Sequence, residues 1–154
     1  MKAKSTVPML AVLVSAGAII ATGASASGGS TLVIRHQVKG CHSWSANGDA
    51  YKATQAIKLQ RGASLSVTNN DVMPHKLVET SGPAVKIVRL NPGMGMGMKG
   101  TFPAGMMARM GASSKVTFTK PGVYKFTTKV GEDYMSGVKT TGEDNVLQLT
   151  VTVS

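Results

Sequence analysis

Alternation of apolar and polar residues with a period of two is the feature that most narrows what this chain can become. Thr31 to Val38 is one such run, and Ile57 and Leu59 alternate with Lys58 and Gln60. Leu65 and Val67 alternate with Ser64, Ser66 and Thr68, while Val85, Ile87 and Val88 form a less regular run. Val116 and Phe118, Tyr124 and Phe126, and finally Leu147, Leu149, Val151 and Val153 alternate with Thr, Lys or Gln. Period two puts every second side chain on the same face of a strand, and no apolar pattern of helical period persists long enough to specify a helix. Turn-forming residues punctuate the runs: Asn47-Gly48-Asp49, Arg61-Gly62, Asn69-Asn70-Asp71, Pro121-Gly122 and Gly142-Glu143-Asp144. About seven short strands spaced in this way predict an antiparallel sandwich or barrel.

Before the first run the chain has a different character. Lys2 and Lys4 form a short basic region, Val7 to Ile20 is almost unbroken apolar sequence, and Ala24-Ser25-Ala26 has the small-x-small pattern of a processing site. Residues 1–26 are therefore expected to be a signal peptide, with an uncleaved anchor as the alternative. The apolar stretch is shorter than the ~20 residues a membrane-spanning helix needs, so no stable span is expected after processing. Residues 27–154 are long enough for one modest domain and too short for two. The product is expected to be exported, periplasmic or secreted, and monomeric.

Charge and cysteine usage narrow the functional classes. The net charge is +10, which favours acidic protein partners or anionic polymers. The Lys residues are scattered singly and aromatics are few, so the interleaved pattern that stacks bases is missing and nucleic-acid binding is not expected. One cysteine, Cys41, excludes a disulfide within the chain. An unpaired thiol in an oxidising compartment is a buried hydrophobe, an intermolecular bridge or a metal ligand. Hydrolytic catalysis finds no support, since there is no Gly-x-Ser-x-Gly elbow and no nucleophile with an evident base. An enzyme is not expected.

Two stretches break the alternation. Asn91 to Ala112 contains Met94, Met96 and Met98 in a Gly-Met repeat, then Met106, Met107 and Met110. Gly131 to Asn145 holds Glu132, Asp133, Glu143 and Asp144, four of the seven acids. Long irregular segments within a compact domain are more often functional than accidental.

Ser64 to Glu79 reads S-L-S-V-T-N-N-D-V-M-P-H-K-L-V-E, and Lys115 to Thr128 reads K-V-T-F-T-K-P-G-V-Y-K-F-T-T. The first resembles the cupredoxin segment in which a strand ends in an Asn-x-Asp turn and a Pro-His pair delivers a copper ligand, here His75. The second resembles the family's penultimate strand, with Pro-Gly at its turn and Tyr-x-Phe leading into the ligand loop. Together with the final strand, these matches imply a cupredoxin-like, antiparallel Greek-key β-sandwich of about 7–8 strands, with copper as the cofactor. The ordinary ligand loop is absent, however. Thr128 stands where the family places a cysteine, and Gly131, Glu132 and Asp133 lie where a histidine would follow. Met135 remains as a candidate axial thioether.

The family's first strand runs in the same direction as the strand before the Pro-His motif. The resemblance therefore implies that Cys41 and His42, which follow the first strand, lie near His75 and the Gly131 to Asn145 loop, so that the missing thiolate and imidazole are supplied from elsewhere. Neutral imidazole and thiolate both suit copper. Adjacent residues on a strand point to opposite faces, so Cys41 and His42 can share one metal only if the loop twists, which Gly40 permits. His36 is in phase with Leu32 and Ile34 and reads either as a ligand or as a core histidine. Glu132 or Asp133 would add a hard oxygen donor, and their alternative is a solvated loop. The Gly-Met repeat is either a copper(I)-binding thioether tract or an apolar flap, and Trp44 reads as a packing anchor. The expected metal set is Cys41, His42, His75 and Met135, with His36 and Glu132 as further candidates. The function implied is electron transfer between redox or copper-handling protein partners, and the alternative is a copper(I) chaperone or sink using Cys41 and the Met-rich loop. A carboxylate-assisted metal enzyme is the least favoured class.

Overall fold

The computed structural model describes residues 28–36, 42–93, 102–130 and 147–154. The expected signal peptide, residues 1–26, lies outside them. Ten strands occur among the described residues: β1 (Ser30–His36), β2 (His42–Ala46), β3 (Thr54–Leu59), β4 (Ser64–Asn70), β5 (His75–Ser81), β6 (Lys86–Asn91), β7 (Met106–Met107), β8 (Ser113–Thr117), β9 (Gly122–Val130) and β10 (Gln148–Val153). They form two five-stranded sheets, ordered β2-β1-β4-β8-β6 and β3-β10-β9-β5-β7. Among the described residues, no helix is long and apolar enough to cross a membrane.

The alternating runs do what their period requires. Along β3, β4, β8 and β10 every second residue is buried. Leu32, Ile34, Leu65, Val67 and Val116 of the first sheet pack against Ile57, Leu59, Leu77, Tyr124, Phe126, Leu149 and Val151 of the second. Each large side chain removed from water in this way contributes about 1.5–3 kcal/mol. Trp44 is completely buried and donates its indole N–H to the Ala53 carbonyl at 3.0 Å, the packing role expected of it. Tyr124 is also buried and donates its hydroxyl to the Lys120 carbonyl at 2.6 Å, which closes the turn before β9.

The fold is the expected all-β sandwich of two sheets, with more strands than the 7–8 expected. Two of the additions are β2, which sequence placed after the first strand without assigning it a run, and the two-residue β7 inside the Met-rich stretch. The sheets are mixed and not wholly antiparallel, because β1 pairs parallel with β4 and β10 pairs parallel with β3. The β1–β4 pair has the common direction that the resemblance implied. With Arg35 aligned to Asn70, both strands finish at one pole of the sandwich.

Candidate metal centre

Three separate pieces of backbone meet at that pole. The end of β1 supplies His36, and its antiparallel partner β2 opens with His42 directly opposite. Register in this hairpin is held by the buried pairs Leu32 with Ala46 and Ile34 with Trp44, so the two histidines are placed by core packing two residues away. The turn after β4 supplies Asp71, and β5 begins with His75, in phase with Leu77 on the core face. Pro74 before His75 restricts the preceding backbone to extended conformations and sharpens the entry into the strand.

The Asp71 carboxylate is the meeting point. Its Oδ2 lies 2.6 Å from His42 Nδ1 and 3.2 Å from His75 Nε2, and its Oδ1 is 3.8 Å from His36 Nδ1. The His42 and His75 rings stand edge to face with centroids 4.7 Å apart, and the His36 ring is 6.0 Å from that of His42. Asp71, His42 and His75 are buried, whereas the His36 side chain is 54% exposed. His36 is thus a rim residue and not a core histidine: its phase along β1 points inward, but the strand has run past the core by then.

A local hydrogen-bond frame holds the carboxylate in place. Asn69 Oδ1 accepts the Asp71 amide at 2.9 Å, and Asp71 Oδ1 accepts the Met73 amide at 3.0 Å. The Asn69 side-chain amide donates to the carbonyls of Met73 and Met107, at 2.8 and 3.0 Å. One buried asparagine thereby ties the turn to β7, which itself pairs with β5 through His75 and Met107. Burial pushes the Asp71 carboxyl upward. Hydrogen bonds from His42, His75 and the Met73 amide, with the charge of His75, outweigh that and hold it well below the usual carboxylate range.

Of the expected ligands, His36, His42 and His75 are brought together. Cys41, Met135 and Glu132 lie outside the described residues, as do Asp133 and Met94, Met96 and Met98. In β9, Thr128 is paired with Leu77 and the residue opposite His75 is Val130, and this strand, where the sequence resemblance would place a thiolate, has no sulfur or imidazole among its described residues. Sequence reasoning treated Asp71 only as a turn residue. The signal that could have singled it out was a carboxylate four residues before His75, at the end of a strand running parallel to β1.

The donor chemistry suits a divalent transition metal. One donor atom each from His36, His42 and Asp71 lies within 4.8 Å of the others, and His75 adjoins the same carboxylate oxygen. Imidazole nitrogen with carboxylate oxygen matches copper(II) or zinc(II), and the burial of three of these four groups excludes competing water.

Neither a family model nor a curated protein matches the chain. Among solved structures, it is similar to a purple cupredoxin from Nitrosopumilus maritimus, with 19% identity over 80% of this chain and 98% of that one, at a TM-score of 0.43. It is also similar to a chain of a heme-copper terminal oxidase dimer, with 17% identity over 96% and 79% of the two chains and a TM-score of 0.41. A reduced amicyanin variant gives 13% identity over 79% and 80%, at 0.38. At such distances the reading of the site rests on its own residues.

Proposed function

We propose that this chain is an exported copper-binding protein that carries electrons between partners and is not itself an enzyme. The observation that carries the reading is the convergence of two buried imidazoles, His42 and His75, on one pole, with His36 at its rim. Bound copper would supply one-electron redox chemistry. His42 and His75 would hold it, anchored on strands whose register is set by the core, so that little reorganisation accompanies a change of oxidation state. Their burial keeps water away, and the exposed His36 imidazole is the part of the cluster a docking partner would meet. Cys41, next to His42 in sequence, is the candidate thiolate. Export rests on the character of residues 1–26, and the excess of basic groups suits an acidic partner.

Loading the purified protein with copper(II), followed by dialysis, is expected to leave one copper per chain and a reversible one-electron wave in voltammetry. His42→Ala and His75→Ala are each expected to lower the retained copper at least tenfold. Copper no higher than background in the parent protein would refute the assignment. In the copper(II)-loaded protein, Cys41→Ser is expected to abolish thiolate-to-copper charge-transfer absorption. An unchanged spectrum would remove Cys41 from the ligand set. A colourless copper(I) form that resists oxidation, with no voltammetric wave, would instead favour a copper chaperone or sink.

A further inference from the structure

Asp71 occupies an unusual place among the imidazoles. An ionised carboxylate only accepts hydrogen bonds, so each ring nitrogen bonded to it must carry a proton. The nitrogen nearest Oδ2 is Nδ1 in His42 and Nε2 in His75. In the neutral form that metal binding requires, an imidazole has one protonated nitrogen, and a single oxygen atom then holds these two rings in opposite tautomers. The carboxylate cannot readily turn to escape this role: its other oxygen receives the Met73 amide, and its own amide is bonded to Asn69.

We infer that Asp71 is a positioning residue for the metal centre, fixing His42 to bind through Nε2 and His75 through Nδ1. This rests on the proposed metal-binding role of the pole. Metal-bound histidines commonly donate their second ring N–H to a carboxylate, which sets both the tautomer and the orientation of the ring. Here one carboxylate does so for two rings on different sheets, His42 in the β2-β1-β4-β8-β6 sheet and His75 in the other. The competing arrangement has Asp71 as a direct ligand beside His36 and His42, whose donors also lie within 4.8 Å of one another. It would require giving up the 2.6 Å hydrogen bond to His42 Nδ1 and displacing a carboxylate already engaged by three N–H donors.

Two-bond proton–nitrogen spectra of the 15N-labelled protein distinguish the tautomers directly. They would be recorded at about pH 8, above the ordinary imidazole range, before and after one equivalent of zinc(II) as a diamagnetic probe. The expected result is an Nδ1–H signal for His42 and an Nε2–H signal for His75, both persisting after zinc is bound, with the metal-induced nitrogen shifts on His42 Nε2 and His75 Nδ1. Asp71→Asn is expected to lower zinc affinity about 10–100-fold and to release at least one ring into mixed tautomers. Should that variant fail to fold, the parent spectra decide alone. The opposite tautomer in either ring, or loss of either N–H signal on loading, would overturn the assignment while leaving the metal site standing. Failure of zinc and copper to bind at all would overturn the metal-binding reading and the ligand nitrogens together.

Discussion

Asp71 ends the Asn69-x-Asp71 turn with a side chain wholly withdrawn from solvent, so its charge is bound up with the folded state. Its carboxyl is held below the unfolded value of about 3.9, and it therefore stabilises the native protein at every pH above that value. The contribution is lost as pH falls through the ordinary carboxylate range toward the folded pKa. Urea denaturation of the metal-free protein is expected to show a midpoint that declines below about pH 5, and Asp71→Asn should flatten the part of that decline that belongs to this residue. An acid limb unaltered by the substitution would show that the carboxylate is not coupled to folding. Asn69 is the second decisive residue, since Asn69→Ala strands the Asp71 amide and the Met73 and Met107 carbonyls together. A loss of about 2–4 kcal/mol is expected from denaturant titration. His75 was legible in sequence because Pro-His after a turn is a local pattern. Asp71 was not, since a turn carboxylate becomes a buried hub only after the β1–β2 hairpin is laid over it.

Among the elements, two of the strands without an alternating run in the sequence, β2 and β7, were missed for physical reasons. In β2 all five residues are buried, including Ser43 and Ser45, so the period-two contrast that reveals a half-exposed strand is erased. Ser45 manages this by donating to the Asp49 carbonyl. At two residues, β7 is too short for any periodicity, and its position depends on Gly105 just before it. Gly105 has φ +83°, a Cβ there would sit 2.8 Å from the Leu77 carbonyl oxygen, and its own carbonyl accepts the Leu77 amide at 3.0 Å. Gly105→Ala combines an unfavourable dihedral with a backbone clash, and is expected to cost about 1–3 kcal/mol. Chemical denaturation measures it, and hydrogen exchange should show the loss concentrated at Leu77. Stability equal to the parent would mean that β7 does not need this close approach.

At the scale of the molecule, both sheets depend on partners distant in sequence: β1 pairs with β4, β3 with β10 and β5 with β9. Such pairings require loops to close before any contact compensates for the lost chain entropy. Refolding of the metal-free protein by stopped flow is therefore expected in the millisecond-to-second range, and a microsecond phase carrying the full amplitude would contradict this topology. Alternation made the sandwich legible, from Leu65 and Val67 in one sheet to Leu149 and Val151 in the other. The mixed sheet order was hidden because period two reports which face a residue takes and not which strand lies beside it. Charge and composition reached only as far as classes of partner.

The hairpin register has a consequence for how such a centre can change over time. His36 and His42 stand opposite each other in register with the buried Leu32–Ala46 and Ile34–Trp44 pairs. Changes of length or composition at residues 37–41, including loss of Cys41, are therefore expected to leave that register of the imidazoles in place. On the proposed reading of the pole as a metal centre, selection or a protein engineer could change its donor set at those positions, treating the rest of the molecule as a reusable chassis.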